Sequence, residues 1–208
     1  MKKRVFLIGI GAFGLSGALS GCAILRRGPE NVPVVREGFV VRPEPVAQNN
    51  MTAFLPEGDT IYLSGSINAD TAAGFAAVRE ANPDARRLVL LEADGAAGSA
   101  EAMGFGRAVR EAGFATHLRN DSVISGGAVD AFLGGTQRTM EDGAVIGVVR
   151  TKDGDAHKAF ASEMTGGDGY ARFAQEFGGR RRPRAMTIAE IGAMGIVSAD
   201  LGNVLATN

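Results

Sequence analysis

From residue 51 onward, short apolar runs alternate with segments of helical period, and this alternation limits what the chain can fold into. Residues 60–67 read as a strand ending at a turn. Residues 69–81 read as a helix, capped by Asn68 or Asp70 and stopped at Asn82-Pro83. Residues 87–93 (R-L-V-L-L-E-A) form a short continuous apolar run, the pattern of a strand buried on both faces. Residues 99–112 carry Ala102, Phe105, Val109 and Ala112 on one side, and Gly113 ends that helix. A strand at 114–118, a buried helix at 125–133 closed by Gly134-Gly135, and a strand at 144–149 follow. Tyr170, Phe173, Ala174 and Phe177 stand at i, i+3, i+4 and i+7, an amphipathic helix. Thr187-Ile-Ala-Glu190 is a capping box that opens another. Strands alternating with helices imply an α/β fold of parallel βαβ units with right-handed crossovers. No internal repeat is visible.

With 208 residues, the chain is long enough for one domain with a sizeable core, and 45% apolar against 22% charged residues exclude a disordered one. Thirty glycines are about twice the usual share, but without a G-X-Y period they do not make collagen. A net charge of −1 and only 6% aromatic residues argue against nucleic acid as a partner. A single cysteine can form neither an internal disulfide nor a Cys-rich metal site.

The first 25 residues account for that cysteine. Lys2, Lys3 and Arg4 precede an uncharged apolar run from Val5 to Leu19, as in a secretory signal. Leu19-Ser-Gly-Cys22 resembles the lipobox of bacterial lipoproteins, which implies cleavage after Gly21, lipidation of Cys22 and a body facing the periplasm. Ala23, rather than aspartate, implies the outer membrane. An uncleaved helix is the alternative, but five glycines within 9–21 make it a poor permanent span. The G-x-G-x-x-G match at Gly9–Gly14 falls inside the signal, with no strand before it, and carries no dinucleotide site. Cleavage would leave 19 basic against 23 acidic residues, a balance that disfavours further binding to anionic membranes. Residues 22–50 hold Pro29, Pro33, Pro43 and Pro45 and read as an extended tether, with Val34-Val35 and Phe39-Val40-Val41 as a candidate edge strand. Residues 51–208 form the folded body.

That body resembles the Clp peptidase/crotonase superfamily, and within it the periplasmic Clp-peptidase-like proteins. The resemblance spans about residues 61–196. It rests on Ile61-Tyr-Leu-Ser-Gly-Ser-Ile67, on Leu91–Ser99 followed by Gly106–Gly113, on Phe132-Leu-Gly-Gly135 with Arg138 and Gly143–Gly147, and on Met186-Thr187 to Gly195-Ile196. It implies a single-domain spiral of repeated β-β-α units. It also implies a serine opening the buried helix, a histidine ending the next strand, a later aspartate and a glycine-rich oxyanion loop.

Carried over by position, these roles fall on substituted residues. The serine position falls on Gly126, the histidine position on Val149 and the aspartate position near Pro183. The oxyanion loop reads Asp94-Gly-Ala96-Ala97, with a carboxylate and two alanines where the family keeps serine and glycines. A serine needs a base to take its proton, and the transition-state oxygen needs fixed donors. The resemblance therefore implies a catalytically inactive or redirected member.

Ser125 remains a weak candidate nucleophile, with His117 on the preceding strand as its possible base. The plain alternative makes Ser125 an N-cap and His117 a partly exposed histidine. Asp153-Gly-Asp155-Ala-His157 has spacing that suits a metal in an extended loop, but no second cluster completes it, so it reads as a solvated acidic turn. Arg180-Arg-Arg-Pro-Arg184 reads as a solvated basic loop. The sequence thus points to a lipid-anchored binding or scaffold module with no cofactor and no metal. Its expected partners are the membrane, through Cys22, and a protein or peptide, with a homo-oligomer as a further possibility. The competing expectation is a serine peptidase or hydrolase acting through Ser125. An acyl-CoA enzyme ranks behind both, since CoA is not expected outside the cytoplasm.

Overall fold

A computed structural model describes residues 35–36, 39–40, 51–151, 154–179 and 182–198. All of them belong to one compact unit, Pro33–Asn208. The expected signal, Cys22 and most of the 22–50 tether lie outside the described residues. Within the tether, β1 (Val35–Arg36) and β2 (Phe39–Val40) pair antiparallel as a small sheet of their own.

The body is built on a seven-stranded mixed sheet. Its strands are β3 (Thr52–Glu57), β4 (Thr60–Ile67), β5 (Arg87–Gly95), β6 (Ala115–Ser125), β7 (Arg138–Met140), β8 (Val145–Val148) and β9 (Arg184–Ala185). The order is β3-β4-β5-β6-β8-β9, with β7 also on β6. β4, β5, β6 and β8 run parallel, as the alternation with helices requires. β3 and β9 are antiparallel edges, an addition to the expected parallel set. β3 contains Pro56, which suits an edge. Ile61, Leu63 and Ile67 of β4 alternate inward, whereas Leu88, Val89 and Leu90 of β5 are buried consecutively, as the apolar run predicts.

Helices α1 (Thr71–Ala81) and α2 (Ala100–Glu111) cover the sheet with Phe75 and Phe105, whose rings meet edge to face at 5.5 Å. Ser99 caps α2 by accepting from Ala102 N–H, and Gly113 leaves it at φ +74°. At α1, the Asn68 carboxamide instead accepts from Asp70 N–H at 2.9 Å, while Asp70 makes no side-chain cap bond. α3 (Gly127–Leu133) is buried at every residue. α5 (Gly169–Phe177) buries Tyr170, Phe173 and Ala174 as expected but leaves Phe177, the last of the stripe, exposed; at α6 (Ile188–Ala193) Thr187 and Glu190 form the expected capping box.

Two elements depart from the sequence reading. β6 runs on to Ser125 instead of ending near 118. Its partner register shifts on β5 between Leu90 and Glu92. There the buried Ser122 hydroxyl donates to Leu90 C=O at 2.6 Å and accepts from Arg119 N–H, so a polar side chain completes the irregular ladder. The second departure is α4 (Gly154–Thr165), which occupies what reads as an acidic turn.

The closing segment is held by Arg138. Its guanidinium, desolvated and beside Arg110, has its pKa lowered. It donates to Ile196, Gly135, Met164 and Gly195 carbonyls. Arg110 donates to Leu133, Gly134 and Met164 carbonyls. Two cations thereby take up carbonyls at the C-terminal ends of α3 and α4, groups that have no intrahelical partner.

Candidate functional site

The carboxyl ends of β5, β6 and β8 converge where open α/β sheets place their sites. Ser125 is the last residue of β6 and pairs with Gly147 of β8. It is half-buried and does not cap α3, contrary to the N-cap expectation. A Cβ on Gly147 would meet Ser125 Cβ at 3.2 Å and Pro183 Cβ at 2.7 Å, so these three residues face one another. Gly126 makes the turn into α3 at φ +56°, and a Cβ there would overlap the Gly95 carbonyl oxygen. Glycine at 126 is thus fixed by the turn itself. It is not simply a serine that was lost, because a serine would not fit this backbone.

The loop after β5 lies against this turn. Asp94 is exposed, Ala96 exposed and Ala97 half-buried. Gly98 is buried at φ +65°, and its N–H donates to Asp130 Oδ2 at 2.8 Å. The first amide after the expected oxyanion loop, 94–97, is therefore committed to a carboxylate.

Asp130, on α3, is the residue that sequence reasoning missed. Its other oxygen lies 2.7 Å from His157 Nε2, and both side chains are fully sealed from solvent. His157 is therefore no part of a solvated turn. It stands on α4, ring to ring with Phe160 at 6.5 Å and edge-on to Tyr170 at 5.5 Å. Burial raises the Tyr170 phenol well above its ordinary range, and the Asp130 carboxylate pushes it the same way, which keeps the hydroxyl protonated. Asp153 lies outside the described residues. Among the described residues no group of three or more His, Cys, Asp or Glu is placed to hold a metal ion.

His117 and Ser125 are not brought together. They share β6, eight residues apart, or about 26 Å at strand rise. His117 Nδ1 pairs with Thr139 Oγ1 at 2.8 Å and Nε2 with Glu141 at 3.4 Å. The chain has only two histidines. His157 uses Nε2 on Asp130, and its Nδ1 has no hydrogen-bond partner among the described residues. Ser125 is thus hydrogen-bonded to neither imidazole.

Val149, at the expected histidine position, is half-buried and bridges Gly179 in parallel. Pro183 is exposed beside Gly147. Arg184 is not a free solvated cation: it pairs with Glu190 at 2.7 Å and lies over the Phe173 ring at 5.1 Å. Arg180 and Arg181 lie outside the described residues. No helix among the described residues is long and apolar enough to cross a membrane.

Chemically, these strand ends offer a half-buried hydroxyl without an imidazole, a carboxylate at Asp94 and a loop whose Gly98 N–H is already satisfied. The Asp130–His157 pair lies behind the loop and out of contact with solvent.

No family model matches the sequence, and no curated protein matches it. Solved structures do. An enoyl-CoA hydratase from Thermoplasma volcanium aligns over 76% of this chain and 75% of its own at 15% identity, TM-score 0.50. A protein of Streptomyces avermitilis described as an enoyl-CoA hydratase aligns over 70% of this chain at 10% identity, TM-score 0.48. The chain spans 65% of that protein's length. A membrane-bound stomatin-specific protease aligns over 73% of this chain and 84% of its own at 17% identity, TM-score 0.47. At such identities the likeness speaks to architecture alone, and the chain has a crotonase-like α/β fold.

Proposed function

We propose that this chain is a lipid-anchored envelope protein whose crotonase/Clp-like domain works as a binding or scaffold module, without hydrolytic turnover at Ser125. One observation carries the reading: neither of the two histidines is bonded to Ser125, one being tied to Thr139 and Glu141 and the other sealed against Asp130. Without a base, a serine hydroxyl is a poor nucleophile near neutral pH. The loop argues the same way, since Asp94 would oppose a developing oxyanion. Anchoring through Cys22 places the domain at the periplasmic face of the outer membrane. The partner class is a protein or peptide rather than nucleic acid.

The activities in the neighbours' names belong to those proteins. Hydration of an acyl-CoA is not proposed here, because the loop glycines of the resembled family are replaced by Ala96 and Ala97 and the exported location lacks CoA. A serine hydrolase with an atypical base is the second reading. The half-buried place of Ser125 at a strand end favours it.

Co-purification of the full chain from membranes separates the two. The binding reading expects a defined partner retained equally by wild type and Ser125→Ala, and loss of membrane retention in Cys22→Ser. Hydrolytic activity abolished by Ser125→Ala would support the second reading instead.

A further inference from the structure

The network behind the loop has two unsatisfied ends. Thr151 Oγ1 and His157 Nδ1 are the buried side-chain polar atoms without a hydrogen-bond partner among the described residues. Thr151 is 6% exposed and His157 not at all. Both residues pack against Gly98 through carbon atoms. A Cβ there would meet Thr151 Cγ2 at 3.1 Å and His157 Cβ and Cγ at 3.3 Å. Buried polar atoms in folded proteins are almost always paired, so two in neighbouring side chains require an explanation.

The bonding pattern fixes which chemistry fits. Asp130 accepts from Gly98 N–H and from His157 Nε2, so the imidazole carries its proton on Nε2 when neutral. Nδ1 is then a bare acceptor. The Thr151 hydroxyl donates or accepts as its rotor allows. The two do not bond directly. A group that donates to Nδ1 and also bonds a hydroxyl, yet is small enough to lie beside a glycine Cα, is a water molecule. Internal waters of this kind make 2–4 hydrogen bonds to otherwise unsatisfied groups.

We propose that one internal water bridges Thr151 Oγ1 and His157 Nδ1 beside Gly98. It completes a polar chain from the exit of β8 through His157 and Asp130 to the Gly98 amide. The water donates one hydrogen to Nδ1 and bonds the threonine hydroxyl with the other hydrogen or a lone pair. The sealed surroundings of His157 leave it no path to a substrate, so its work is structural: it couples the residues after β8 to the loop after β5. This holds whether the domain is a binding module or a hydrolase.

A high-resolution crystal structure of the full chain in detergent tests it, with Thr151→Val and Thr151→Ser as companions. The expected result is a density peak within hydrogen-bond distance of both atoms, kept in Thr151→Ser and lost in Thr151→Val. Exchange of the Gly98 amide should be about five- to tenfold faster in Thr151→Val than in wild type, the loss of roughly one net hydrogen bond. No peak in the wild type, or a direct Thr151–His157 bond in its place, would overturn the proposal. So would Gly98 exchange that is the same in Thr151→Val as in wild type.

Discussion

His157 Nε2 lies 2.7 Å from Asp130 Oδ1, and neither side chain reaches solvent. Through this contact α4 is tied to α3, and through Asp130 Oδ2 both are tied to the loop after β5. Asp130→Ala would strand the Gly98 N–H and the His157 ring in the interior. Each buried donor left unpaired costs about 1–3 kcal/mol, and urea denaturation should show a loss of at least that size. Asp130→Asn should cost less, because its amide oxygen still accepts one of the two bonds. A loss in Asp130→Ala below about 1 kcal/mol, the worth of a single hydrogen bond, would mean that the tie contributes little.

Replacing Gly126 by serine, the residue found at that position in the resembled enzymes, should damage the fold and restore nothing. The backbone there has φ +56° and no room for a Cβ against Gly95. Strain of this type costs about 1–3 kcal/mol before any clash is relieved. Thermal denaturation should show Gly126→Ser less stable than wild type, and an esterase assay should show no activity in either.

Much of this architecture was legible in the chain because burial and periodicity coincide in it. The run at 87–93 and the Thr187 capping box each have a local cause and appear as expected, and the 170–177 stripe does so except at Phe177, which is exposed. The failures also have causes. β6 was cut short because Arg119, Asn120 and Asp121 interrupt its apolar pattern, while Ser122, the polar residue that lets the strand continue, gives no signal of its own. α4 was hidden because its buried stripe, His157, Phe160, Ala161 and Met164, begins with a histidine. Counted as apolar, that histidine yields i, i+3, i+4 and i+7. The Asp130–His157 pair was out of reach in any case. The two residues are 27 positions apart, and only the packing of α4 on α3 joins them.

Arg138 makes a further prediction. Its guanidinium holds Gly195 and Ile196 carbonyls from the closing segment, together with Gly135 and Met164. Arg138→Ala should take this donor from the Gly135, Gly195 and Ile196 carbonyls, while Met164 keeps Arg110, and cost at least about 2 kcal/mol, since bonds to charged groups are worth about 1.5–3 each. Hydrogen exchange should rise first at Ile196, in the segment that Arg138 secures. Arg138→Lys should rescue only part, because an ammonium lacks the planar fork that reaches several carbonyls at once.

The Arg184–Glu190 pair sets an acid response. A side-chain hydrogen bond from Arg184 is the main cause of the lowered Glu190 pKa, helped by the Thr187 N–H. A carboxyl lowered in the folded state stabilises above its unfolded value, and that contribution is lost as pH falls through the folded value. NMR titration should therefore place Glu190 below 4.5 in wild type and closer to 4.5 in Arg184→Ala. Equal titration of Glu190 in both proteins would contradict the pairing.

The separation of Ser125 from both imidazoles is the centre of this account, and fluorophosphonate labelling of the full chain probes it most directly. A serine without a base should stay unlabelled, and wild type and Ser125→Ala should give the same signal. Labelling that is present in wild type and disappears in Ser125→Ala would show an activated hydroxyl and contradict the account.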